Sequence, residues 1–92
     1  MMKNKRQFPR KKIRIEVELS FHDDAPRTVI THDMSQGGIL LQVNNIEHYL
    51  MGDMVNVRFK NPLENFEETE KDAIIVRHSE DGIAIAFVEM GI

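Results

Sequence analysis

The chain has 92 residues, 41% of them hydrophobic and 29% charged, with a formal net charge of −3 and no cysteine. That length supports one hydrophobic core and no second. The absent thiols exclude disulfides and thiolate metal sites, and no apolar run nears the roughly 18 residues that span a bilayer. No signal-peptide h-region follows Met1-Met2-Lys3, so the expected compartment is the cytoplasm, without membrane insertion.

Ile (10) and Val (7) outnumber Leu (5) and Ala (4). β-branched side chains fit a pleated surface and lose rotamer freedom in helices, so the expected class is all-β. The charge is segregated. Residues 3–14 carry seven Lys or Arg and no acid, whereas residues 64–72 carry five acids against Lys71 alone. Such a distribution points to an anion near the N-terminus.

The first dozen residues precede any strand signal and are expected to form a flexible basic arm, residues 1–12, ahead of a folded unit, residues 13–92. From Ile13 the pattern alternates: Ile13, Ile15, Val17, Leu19 and Phe21 on one face, Arg14, Glu16, Glu18 and Ser20 on the other. The stretch His22-Asp23-Asp24-Ala25-Pro26 reads as a turn. Residues 27–33 read as a second strand with weaker alternation, 34–38 as a break, and 39–43 as a third strand. Residues 44–53 read as a connection with one helical turn. In the next strand, 54–60, Val55, Val57 and Phe59 face one way, and Asn61-Pro62 ends it because proline has no N–H for a ladder. The acidic stretch runs without a turn signal into Ala73–His78, so it is expected to be a hairpin limb rather than a helix. A turn at 79–82 and a last strand from Ile83 complete about six short strands, the pattern of a closed or nearly closed antiparallel barrel filled by its own side chains.

Catalysis finds little support in these residues. His32, Asp33 and Ser35 are neighbours on one segment and cannot converge as nucleophile, base and orienting acid, because adjacent strand residues point to opposite faces. The four histidines lack metal-ligand spacing. The expectation is no catalytic residue, no metal and no cofactor.

Two stretches carry more information. In Arg6-Gln7-Phe8-Pro9-Arg10 the proline disfavours helix at Phe8, and two guanidiniums on a bent arm offer flat faces for stacking and forked donors for phosphate or a guanine edge. In Asp33-Met34-Ser35-Gln36-Gly37-Gly38, Asp and Ser side chains bond nearby backbone N–H groups, and the glycines permit positive φ. Alone, the first stretch reads more simply as a solvated tail and the second as an ordinary hairpin turn.

Together and in this order, R-x-x-x-R followed by D-x-S-x-x-G resembles the paired signature of PilZ domains. The flanks resemble the family too, in residues 33–41, in the Gly52-Asp53 lead into a later strand and in the hairpin at 76–87. The resemblance implies a six-stranded antiparallel Greek-key barrel that binds cyclic di-GMP. By it, Arg6 and Arg10 contact guanine and phosphate, Asp33 accepts from the guanine edge, Ser35 helps hold the ligand, and Gly38, with Gly37 beside it, lets the ligand approach the wall. Lys5, just before the first arginine, is compatible with a stacked pair of ligands.

The chain ends at Ile92, where many relatives carry a C-terminal helix, and Met1 suggests a natural start. The implied role is a receptor or adaptor whose arm orders on the ligand and whose changed surface meets a protein effector. Two other readings compete: a barrel of this type that docks only proteins, and a small-barrel nucleic-acid binder. Intact Arg6, Arg10, Asp33 and Ser35 speak against the first. The absence of Trp, and the core-facing positions of Phe21, Phe59 and Phe87, speak against the second.

Overall fold

The structure, a computed structural model, describes residues 11–21, 25–80 and 82–88. It contains six strands: β1 (Glu16–Phe21), β2 (Arg27–Ser35), β3 (Gly38–Gln42), β4 (Met54–Asn61), β5 (Glu67–His78) and β6 (Gly82–Phe87). Short 3₁₀ turns lie at Ile46–His48 and Pro62–Glu64. All neighbours are antiparallel, and the sheet closes in the order β1-β2-β3-β6-β5-β4. The fourth strand therefore returns beside the first, the arrangement that defines a Greek key. The ring consists of two three-stranded meanders joined at two seams, β1–β4 and β3–β6.

Alternation decides what lies inside. Val17, Leu19 and Phe21, then Val55, Val57 and Phe59, then Ala73, Ile75, Ile83 and Ile85 are buried with Met34, Ile39 and Leu41. Each of the larger of these contributes about 1.5–3 kcal/mol relative to exposure. Tyr49, from the 43–53 connection, is also buried and meets the Phe21 ring edge-on, with centroids 5.2 Å apart. Its burial was not visible in the sequence pattern.

Of the acidic stretch 64–72, residues 67–72 are strand as expected, while Glu64 lies in a 3₁₀ turn and Asn65-Phe66 form the turn before it. The pairing explains how the strand tolerates so many acids. Glu70 lies opposite Arg58 and Glu68 opposite Lys60, while Arg58 also meets Glu18 of β1 at 3.1 Å. Opposite charges in register favour pairing, by a few tenths of a kcal/mol at exposed sites.

Two strands depart from strict alternation, and each departure is a β-bulge. In β2, Thr31 pairs with Leu41 and Asp33 with Leu40, leaving His32 as an extra residue. In β5, Ile75 pairs with Ile85 and Arg77 with Ala84, leaving Val76 as the extra one.

The β4–β5 hairpin turns through Asn65 (φ 55°) and Phe66 (φ 59°), both left-handed. Asparagine tolerates this region, but Phe66 is bulky and 61% exposed, so little packing offsets a conformational cost of about 1–2 kcal/mol. Phe66→Gly is expected to raise stability by about 0.5–1 kcal/mol, net of the added freedom of the unfolded chain, read as a higher urea midpoint. An unchanged or lower midpoint would show that the ring contributes packing that its exposure conceals.

Candidate functional site

The bulge in β2 determines where Asp33 goes. Thr31 is buried, and strict alternation from it would send Asp33 into the core. With His32 inserted, His32 and Asp33 together oppose the half-buried Leu40 on the outer face, and Met34 becomes the next buried residue. A bulge of this kind re-aims side chains beside functional sites. It also explains why the second strand reads poorly as a period of two.

Ser35 ends β2 and is 5% exposed. Its hydroxyl accepts from the Gly37 N–H at 3.1 Å and lies 3.5 Å from the Gly38 carbonyl oxygen, so Gln36-Gly37 form the hairpin turn around it. Ser35→Ala leaves the Gly37 N–H without this acceptor and is expected to cost about 1 kcal/mol in thermal unfolding.

Neither Gly37 nor Gly38 uses the positive φ that glycine permits; among the described glycines only Gly52 does, at 94°. Gly38 is needed for another reason. A Cβ there would stand 2.2 Å from the Ile85 carbonyl oxygen, so the missing side chain lets β3 and β6 pair. Gly37 contributes its carbonyl, which accepts from the Phe87 N–H at 3.0 Å.

Asp33, Ser35, Gly37 and Gly38 are therefore gathered on one hairpin. Lys5, Arg6 and Arg10 lie outside the described residues, but the chain just after them is described. Lys11 pairs with Met34 through two backbone hydrogen bonds of 2.9 Å, so the residue following the R-x-x-x-R stretch sits against β2 between Asp33 and Ser35. The first strand does not begin at Ile13 as expected. The regular ladder starts at Glu16, and Ile13 and Ile15 are held by the Thr31 side chain instead.

From Asp33 the register runs outward across the sheet through Leu40 and Ala84 to Arg77, the residue that follows the second bulge. This row offers an acid at one edge, a small apolar floor and a guanidinium at the other edge. Phe59 and Phe87, which line a shallow cleft with Ser35 and Lys71, stack at 6.3 Å, with the Lys71 ammonium 5.4 Å from the Phe87 ring centroid. Phe21 and Phe59 are core residues as expected and Phe87 is half-buried, but Phe66 is an exposed aromatic that the sequence reading did not weigh. Among the described residues no group of His, Asp or Glu is arranged to hold a metal ion, and no helix is long and apolar enough to cross a membrane.

The chain belongs to the PilZ domain family, whose model matches residues 4–92. It is thus a member of a family of cyclic di-GMP receptors and adaptors. A solved structure of the Bacillus subtilis inhibitor of motility, MotI/DgrA, shares the fold at a TM-score of 0.76 with 16% sequence identity. The similarity covers 96% of this chain and 44% of that one, so this chain spans less than half of its length. No curated protein sequence matches.

Proposed function

We propose that this protein is a non-catalytic cytoplasmic receptor for cyclic di-GMP, an adaptor that closes its basic N-terminal arm, residues 1–12, over the nucleotide and offers the altered surface to a protein effector. The observation that carries the reading is the pairing of Lys11 with Met34, which joins the sequence neighbourhoods of the two motifs. In this reading Arg6 and Arg10 stack on guanine and bond phosphate, Asp33 accepts from a guanine edge, and Ser35, Gly37 and Gly38 form the hairpin against which the ligand lies. Lys5 adds charge next to the first arginine. A ligand with two phosphates and two bases accounts for seven cations concentrated in residues 3–14 of a chain that is net acidic.

The test is calorimetric titration of the purified protein with cyclic di-GMP, with GTP and a short single-stranded DNA run beside it. Saturable heat with cyclic di-GMP alone is the expected result, and its stoichiometry distinguishes one ligand from two. No heat and no shift in melting temperature would sink the receptor reading. Binding to the DNA, weakening steeply with salt, would install the nucleic-acid reading instead.

A further inference from the structure

We infer that Thr31 is a positioning residue of the nucleotide site, its buried hydroxyl clasping the root of the N-terminal arm where the regular strand ladder fails. The inference rests on the receptor reading above.

The ladder fails for a countable reason. From Glu16 back to Lys11 the chain takes one more residue than β2 takes from Ile30 to Met34, although both pairs of ends are matched. Continuous backbone pairing cannot absorb that extra residue: the Ile15 carbonyl keeps its ladder partner, the Thr31 N–H, but the Ile15 N–H and the Ile13 carbonyl lose theirs. The Thr31 side chain replaces them: its hydroxyl oxygen accepts from the Ile15 N–H at 2.9 Å and its O–H donates to the Ile13 carbonyl, beside the ladder bond of 3.0 Å from the Thr31 N–H to the Ile15 carbonyl.

The residue type is informative. Thr31 is 0% exposed and sits between Leu41 and Ile15 in the sheet, where a valine would have a similar shape but no hydroxyl. A hydroxyl belongs there because it satisfies backbone groups that would otherwise be left without partners. Thr31 also opens the bulge that turns Asp33 outward. One residue therefore anchors the arm root on one side and precedes the acid of the site on the other. Holding Lys11–Ile15 against β2 sets the point from which Arg6 and Arg10 can reach Asp33, and so reduces the ordering cost of binding.

The experiment uses the full chain with Thr31→Val and Thr31→Ser. It follows thermal unfolding, amide exchange at Lys11 and Ile15, and titration with cyclic di-GMP. Thr31→Val is expected to keep a folded barrel, to speed exchange at both amides and to weaken binding about tenfold, whereas Thr31→Ser stays within about twofold of wild type. Wild-type affinity in Thr31→Val would overturn the positioning role, and unchanged exchange would overturn the clasp itself.

Should Thr31→Val fail to fold, Lys11→Pro removes the N–H that bonds Met34 from an exposed residue, with Lys11→Ala as the control for charge. A loss of about tenfold in the proline variant against no more than about threefold in the alanine variant supports the inference, and equal losses overturn it. If wild type binds no cyclic di-GMP, the receptor reading falls, and with it the positioning role. The exchange rates still decide whether the hydroxyl holds the arm root.

Discussion

Gly82→Ala is expected to lower the unfolding free energy by about 3 kcal/mol or more, a large share of the roughly 5–15 kcal/mol that holds a small domain together. Gly82 opens β6 opposite Gln42, and a Cβ built on it would stand 1.7 Å from the Leu41 carbonyl oxygen and 2.8 Å from the carbonyl carbon. Both are backbone atoms of the facing strand, so no side chain can swing aside. Room can come only from parting β3 and β6, which opens one of the two seams of the ring. Gly38 makes the equivalent close approach at the other end of the same seam. Urea unfolding followed by far-UV circular dichroism measures the loss, and a midpoint close to wild type would show that the seam yields more easily than its geometry implies.

The second large effect concerns the arm. Replacing Arg6 and Arg10 together with alanine is expected to weaken cyclic di-GMP binding about a hundredfold or more, since each charge-assisted contact is worth about 1.5–3 kcal/mol. In this reading the melting temperature of the ligand-free protein barely moves, because both arginines are assigned to the ligand and not to the barrel; Lys11 is the first of the described residues to pair with it. This pairing of outcomes separates a ligand contact from a structural one. Retained affinity in the double variant would remove the arm from the site and with it the reading of the R-x-x-x-R stretch.

What could be read in advance followed from simple periodicity. Residues 16–21 and 54–60 alternate without interruption, and both are strands with the expected faces buried. The acidic stretch 64–72 was legible as a limb from Glu67 onward, where it runs unbroken into the single strand Glu67–His78, but the turn at Asn65-Phe66 within it carried no glycine or proline to announce it.

The remainder depended on long-range geometry. No local pattern announces that His32 is an extra residue, because a bulge is defined by the partner strand, here Leu40 and Leu41. The same holds for Tyr49, buried by a connection whose path its own sequence does not dictate. Gly38 was read as room for a ligand, whereas the space it leaves is occupied by the backbone of β6. Thr31 carried no signal at all, since its task arises only where two chain intervals of unequal length meet.

The ring of two meanders has a consequence for assembly. Residues 16–42 complete one meander and residues 54–87 the other, and only the connection between them links the two. A cut in that connection would leave each half with all its hairpins but with both outer strands bare. Neither half could hide those strands alone, and rejoining must form two seams in a single encounter. Closing the ring must bring together, at both seams, parts of the chain that are distant in sequence, which slows folding for a domain this small. Two peptides cut there would recombine with second-order kinetics, their half-time shortening as concentration rises.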